Sequence, residues 1–451
     1  MKRSLPEPPA VPVLEPTLTL EGQAGRTRLS AARIKEWASL LTRFLSFEVL
    51  IQGLTFATGV LLVRVLPKAE YAYFTIANTM QQTMNLLADN GISSGLTAIG
   101  GRVWNDRSRF GQLLRTAMQL RRVFALIAVV VVTPILAWML TSEGATPAQS
   151  TLICAMVLLG LYFQLTIGVL IVAPRLHLDV NRVQNLGLGS AFLRLGLILG
   201  AYFLFLNTAV ALMAAAVSFA FQEIMLRNWL RRYVATDASP NPRYRREILT
   251  IVKSQAPNAI YYCLQSQLMV FLISVFGSRS AVAEVGALGR IGMIFLALSS
   301  LMTNVVMPRF ARVQEPRLLW RRYWQIIGAE SGLSVLFLTL AAAFPEVLLW
   351  ILGSKYAHLE EELFLMILGT VLGSLLGTMY HLNLTKGWIV SPWLLIPIGV
   401  ATEIFLIVTL DLSEVRGVLL LAIFSTIPGF FLNVWRAWRG VQEAERGENP
   451  D

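Results

Sequence analysis

The chain has 451 residues, of which 55% are apolar and 14% charged, against about 25% charged in ordinary soluble domains. With a mean hydropathy of +0.60 and apolar runs recurring from the forties to the four-thirties, this excludes a soluble domain and an enzyme held by one anchor. The net charge of +11 would suggest nucleic acid in a soluble protein; in a polytopic membrane protein it is first a record of topology, and no nucleic-acid partner is expected.

Residues 1–43 carry proline and charge but no apolar core of a cleavable signal peptide, so the first span is expected to direct insertion. Near the end of this tail Ile34, Trp37, Leu41 and Phe44 fall at helical spacing opposite Arg33, Lys35 and Glu36. That pattern reads as a helix lying on the inner membrane surface, or as a frayed tail.

Twelve mostly apolar runs follow, each of roughly 18 to 27 residues and long enough to cross the hydrocarbon layer. They are expected at about 44–63, 72–98, 123–140, 151–173, 184–206, 209–226, 257–276, 285–307, 325–343, 363–385, 393–410 and 417–435. Of the 38 Lys and Arg, 31 then fall on one side and five on the other (Arg64, Lys68, Arg279, Lys355, Arg416), with Arg194 and Arg290 inside spans. The positive-inside rule makes the basic side cytoplasmic and puts both termini there. The expected organisation is a cytoplasmic tail at 1–43, an N-terminal six-helix bundle at 44–226, a basic cytoplasmic linker at 227–256, a C-terminal six-helix bundle at 257–435 and a tail at 436–451. The longest outer segment, about 344–362, is too short to fold as a catalytic domain. No enzymatic activity is therefore expected.

The two cysteines, Cys154 and Cys263, lie in apolar runs of different halves, which indicates neither a disulfide framework nor a thiolate metal site. No G-x-x-x-x-G-K-[ST] phosphate cradle occurs, and no cofactor is expected.

The segment Glu70–Asn90 recurs weakly 214 residues later as Glu284–Asn304, and Trp138 in PILAWML faces Trp350 in EVLLWIL. Spans 1–6 and 7–12 read as two copies of one bundle in the same orientation, related by an axis along the membrane normal.

The stretch LLVRVLPKAEYAYFTIANTMQQTMNLLADNGISSG, Leu61 through Gly95, resembles the signature at the start of polysaccharide flippases. There an Arg and a Pro precede a Glu-Tyr-small-Tyr turn and the second helix runs into Asp-x-Gly. Those proteins belong to the multidrug/oligosaccharidyl-lipid/polysaccharide (MOP) superfamily. The resemblance implies an all-α, MATE/MOP-like fold of twelve transmembrane helices, two pseudo-symmetric six-helix bundles around a central cavity lined by spans 1, 2, 7 and 8. It also implies a transporter that flips an undecaprenyl diphosphate-linked oligosaccharide across the bacterial inner membrane for cell-surface polysaccharide or lipopolysaccharide synthesis. Membrane lipid, the lipid-linked oligosaccharide, glycosyltransferases and a polysaccharide polymerase are the implied partners. The second half departs from the pattern, lacking charged landmarks that align individually. An ion-coupled multidrug exporter of the same superfamily is the alternative, and a membrane glycosyltransferase, polymerase or ligase a weaker one.

Span 2 places Asn78, Gln82, Asn85, Asp89 and Ser93 at steps of 4, 3, 4 and 4, so five polar side chains stack on one face. Span 1 repeats the device with Glu48, Gln52, Thr55 and Gly59; span 7 offers Asn258, Tyr262 and Gln265, and span 8 offers Ser299, Thr303 and Asn304. Lipid cannot satisfy such groups, so they are expected to face a wet cavity or to bond between helices. Arg194 and Arg290 are candidates to attract a diphosphate, since guanidinium forks suit phosphate oxygens. A structural ion pair between Arg194 and Asp89 is the competing expectation. Glu48, Asp89, Glu330 and Glu403 are candidates to bind a coupling proton or sodium ion. His381 shares a face with Thr370, Ser374 and Gly377 and reads as structural, and the runs Gly369–Gly373–Gly377 and Gly196–Gly200 read as close helix packing.

Overall fold

In the computed structural model the described residues are 31–177, 179–235, 239–293 and 315–446, with 295, 302, 306, 307 and 310 between the last two ranges. Residues from Leu45 onward form one compact unit and residues 1–44 another. Ile34, Trp37, Leu41 and Phe44 belong to a helix that begins at Ala31, and the placement of their side chains lies outside the described part.

The chain order follows from its caps and breakers. Helix α1 (Ala31–Val65) stops before Pro67, whose extended backbone opens α2 (Lys68–Asp89). The predicted second span does not continue to 98. Asn90 and Gly91 take left-handed conformations, φ 37° and 88°, which end the helix and start α3 (Ile92–Val103) in a new direction. Asp106 then accepts from the backbone amides of Ser108 (3.0 Å) and Arg109 (3.1 Å) and caps α4 (Arg107–Ser142), 36 residues long. A capping box of Thr146 and Gln149, with Pro147 in the first turn, starts α5 (Pro147–Leu170). The short α6 (Val172–Leu176) leads to α7 (Val180–Leu204), and Asn207 caps α8 (Thr208–Tyr233). Asn241 and Pro242 start α9 (Pro242–Phe276), and Ser278 caps α10 (Arg279–Gly292). The last helices are α11 (Pro316–Ala343), α12 (Pro345–Leu352), α13 (Glu360–Thr385), α14 (Pro392–Thr409) and α15 (Val415–Glu445). The outer segment predicted as a loop near 344–362 thus carries α12 and a 3-10 turn at Ser354–Tyr356.

Among the described residues ten helices are long and apolar enough to cross a membrane, and they coincide with ten of the twelve predicted spans. The two that fall short are the second and the eighth. Helix α2 has 22 residues, about 33 Å at 1.5 Å each, which is long enough to span but too polar to count by hydropathy. The eighth ends its described helix at Gly292, and the residues carrying its predicted stripe, Ser299, Thr303 and Asn304, lie outside the described ones.

In the first half α4, α5 and α8 pack around α2, with α7 against α8; in the second, α11 and α14 flank the pair α13–α15. The halves meet where α2 lies against α9 and α10. One apolar core runs through both, from Tyr71, Phe74 and Met84 of α2 to Leu288 of α10 and Met379 of α13. A separate core sits at the end of the bundle that carries the basic residues. There Phe110 and Leu113 of α4 and Tyr233 of α8 enclose Tyr244, Ile248 and Val252 of α9. Asn241 adds two bonds to α4, its backbone amide to Thr116 Oγ1 and its side-chain amide to Gln112 Oε1, both 2.9 Å, and Arg102 pairs with Glu247. The first turns of α9 are therefore fastened to the first half.

Candidate functional site

The open face of α2 is its polar stripe. Its opposite face, including Ile76, Met80 and Met84, is buried, whereas on the stripe Asn78 and Asn85 are part-exposed and Gln82 exposed. Because α2 is held on one side by α4 and α5 and on the other by α9 and α10, this stripe borders the space between the halves. A cavity of about 270 Å³ opens there, lined by Thr75, Asn78 and Thr79 of α2, Met269 of α9, and Gly286 and Arg290 of α10.

Arg290 enters this space from the second half. Its Nε donates to the Tyr71 hydroxyl at 3.0 Å, and its guanidinium lies 5.5 Å from the Phe74 ring. A side chain at Gly59 of α1 would meet Arg290 Cδ at 3.0 Å, so the glycine predicted on the polar face of span 1 gives the arginine room to pass. Arg194, fourteen residues into α7, is enclosed but retains some accessible surface, and its Nε is shielded from solvent with no hydrogen-bond partner. Arg194 and Arg290 lie near enough for their like charges to act on one another. Among the described residues no carboxylate pairs with either arginine.

The expected Arg194–Asp89 ion pair is thus absent. Asp89 is the last residue of α2, and there it meets Arg121 Nη1 at 3.1 Å and accepts from the Ser93 hydroxyl. Arg121, 4% exposed, also donates to Asn85 Oδ1 at 3.1 Å. The stripe's lower members therefore serve an ion pair that apolar patterning does not show, because Arg121 precedes the apolar run of its helix. Replacing Asp89 by asparagine strands a buried guanidinium, at a cost on the order of 3 kcal/mol, reduced by the 27% exposure of Asp89. The expected result is a melting temperature lower by several degrees in detergent; an unchanged value would mean that the pair does not hold the fold.

The other predicted residues divide between sites. Gln52 donates to Glu48 Oε1 at 3.2 Å, and Glu48 lies near Arg175 of α6, so this pair is at the basic end. Asn258 is buried with its carbonyl oxygen unpartnered. Tyr262 and Gln265 line a different cavity of about 470 Å³ inside the second half, between α9, α13 and α15. Glu330 is 1% exposed; Ser374 donates to its Oε1 at 2.7 Å and its Oε2 has no partner. Glu403 of α14 accepts from the Tyr261 hydroxyl at 3.4 Å. Of the glycine runs Gly369 packs as expected, a side-chain carbon there meeting Ile423 Cγ1 at 3.4 Å, whereas at Gly373, Gly377, Gly196 or Gly200 it would meet no atom within 4 Å. His381 lines the same second-half cavity.

At the base-poor end the halves are latched by residues that patterning had not singled out. Arg64 Nε donates to the Ile351 carbonyl at 2.9 Å, and a second nitrogen reaches the Trp350 carbonyl. Lys355 Nζ donates to the carbonyls of Arg64 and Leu66, each at 3.0 Å. Lys68 meets Glu284 at 3.0 Å, and the Tyr71 hydroxyl donates to the Gly286 carbonyl at 3.1 Å. The clue available in the sequence was that four of the five base-poor-side cations, Arg64, Lys68, Arg279 and Lys355, flank the starts of α2 and α10 or sit beside α12. Arg279 lies 5.7 Å from the Tyr73 ring and acts on Glu143, whose carboxyl is pushed up by burial and pulled back by that guanidinium. In the first half Glu70 plays a local part instead, accepting from Thr208 N at 2.8 Å and fixing the start of α8.

No protein-family model matches the chain, and no curated protein matches it. Among solved structures it superposes on an inward-facing conformation of a multidrug resistance MATE family transporter of the MOP superfamily, with TM-score 0.67 and 16% identity over 89% of this chain and 98% of that one. The fold is that of the MATE transporters. The eukaryotic MATE transporter AtDTX14 gives TM-score 0.64 at 12% identity, covering 89% of this chain and 98% of its own. An outward-facing conformation of a multidrug resistance MATE family transporter of the MOP superfamily gives 0.58 at 17% identity, over 90% and 95%. The MATE-type fold agrees with the all-α, two-bundle architecture expected from the sequence.

Proposed function

We propose that the protein is a transporter of the MOP type that flips a lipid-linked oligosaccharide, carried on undecaprenyl diphosphate, across a bacterial inner membrane by alternating access, with its basic end in the cytoplasm. The observation that carries this reading is the pair Arg194 and Arg290. Two guanidiniums near one another at membrane depth, with no carboxylate partner among the described residues, each cost about 3 kcal/mol or more on insertion scales. An anion entering between the halves offsets that cost, and a diphosphate matches two planar forks. The latch at the base-poor end and the opening along α2 support a state accessible from the basic end, where such a lipid is made.

Flipping of a fluorescent undecaprenyl diphosphate oligosaccharide in proteoliposomes tests the reading. Protein-dependent movement is expected, with no drug-driven ion current. The second reading, an ion-coupled small-molecule exporter, is favoured by Glu330 and Glu403, two carboxyls whose described partners are hydroxyls. Proton or sodium flux driven by small cationic drugs, without lipid flipping, would replace the first reading by the second.

A further inference from the structure

Resting on the proposed substrate, we infer that the 470 Å³ cavity inside the second half is the subsite for uncharged sugar rings of the lipid-linked glycan. Its volume lies within the range of about 300–1,000 Å³ typical of small-molecule sites. None of its described lining residues is Asp, Glu, Lys or Arg. The walls combine rings with neutral hydrogen-bonding groups: Tyr262 and Tyr380 stand edge to face at 5.3 Å, with His381 beside Tyr380, and Gln265, Ser425 and Thr426 complete the polar side. A cationic drug would leave its charge unanswered here. The Gln265 amide and the Ser425 and Thr426 hydroxyls already donate to the backbone carbonyls of Ser425, Ala422 and Ile423, and their oxygens keep the capacity to accept from a ligand's hydroxyls. A sugar ring has an apolar face for an aromatic wall and hydroxyls for the amide and hydroxyl groups.

Two further observations place this cavity in the transport path. Met269 lines both this cavity and the one containing Arg290, so the two are neighbours separated by one flexible side chain. Glycine in a helix interior is destabilising relative to alanine, yet Gly373 and Gly377 stand one turn apart on the cavity wall where a side chain would meet nothing. Their effect is volume rather than helix contact. The arrangement assigns the charged diphosphate to Arg290 and Arg194 and the adjoining neutral rings to the second-half cavity.

Gly373→Leu and Gly377→Leu fill the cavity from positions where an added Cβ meets no atom within 4 Å, and Tyr380→Leu removes a wall without filling it. Flipping is measured for two probes, bare undecaprenyl diphosphate and the same lipid bearing a neutral trisaccharide. Each variant is expected to slow the trisaccharide lipid by about tenfold or more, while the bare lipid changes by less than about twofold, a tenfold loss corresponding to 1.4 kcal/mol. Equal loss for both probes, or no loss for either, overturns the assignment. If the wild-type protein flips neither lipid, the transport reading falls on its own, and equilibrium dialysis with the free trisaccharide decides the subsite: binding that Gly373→Leu abolishes upholds it, and absence of binding ends it.

Discussion

Arg194→Ala is expected to slow flipping of the diphosphate-linked lipid by on the order of 100-fold, from the loss of one or two charge-assisted hydrogen bonds worth about 1.5–3 kcal/mol each. Arg194→Lys keeps the charge but not the fork, and should retain intermediate activity. The same alanine variant should melt at the same temperature or higher, because Arg194 Nε has no hydrogen-bond partner, no carboxylate among the described residues pairs with the side chain, and the like charge of Arg290 is nearby. That combination separates a ligand-holding arginine from a structural one such as Arg121, whose loss should lower both stability and transport. Normal flipping by both the alanine and the lysine variants would remove the phosphate role of Arg194. Arg290 is a less direct probe, since it also holds Tyr71.

Weakening the latch should shift the protein toward a state open at the base-poor end. Lys68 is 33% exposed and Glu284 11%, so this ion pair is partly screened, and the Lys355 bonds to the carbonyls of Arg64 and Leu66 are the firmer element. Loss of both lysines removes two charge-assisted attachments of on the order of 1 kcal/mol each, enough for a population shift of about tenfold or more. The reporter is Thr75→Cys, a buried position facing Gly286, in a background where the buried Cys154 and Cys263 are serine. An impermeant maleimide added on the base-poor side should label it about tenfold faster in the Lys68→Ala, Lys355→Ala variant. Equal labelling would show that apolar packing of α2 on α10, and not the polar latch, holds that end shut.

Ten of the predicted spans are present because apolar length is a local property of the chain. The stripe on α2 is equally local, and Asn78, Gln82, Asn85 and Asp89 are all at least part-exposed on a helix whose middle is otherwise mostly buried. Partners across space are less legible. Periodicity shows which residues share a face but not which helix they face, so Asp89 was offered to Arg194 and instead meets Arg121. The signal for the break was on hand, since Asn90–Gly91 is a turn dipeptide, and ending α2 there puts Asp89 at a helix terminus. Arg121 falls between the predicted spans at 72–98 and 123–140 because α4 begins at Arg107, sixteen residues before its apolar run. The glycines of α13 fit a packing motif by spacing alone, and only neighbours in space show that two of them border a void.

Helix α9 is an unbroken rod of 35 residues whose opening turns are bolted to the first half while its remainder lines the second. Any swing of one half against the other must therefore be absorbed within that rod. Pro257 lies just beyond the bolted turns and removes one rung of the backbone ladder, making it the natural fulcrum. The linker so becomes a leaf spring, loaded whenever the basic end changes its aperture.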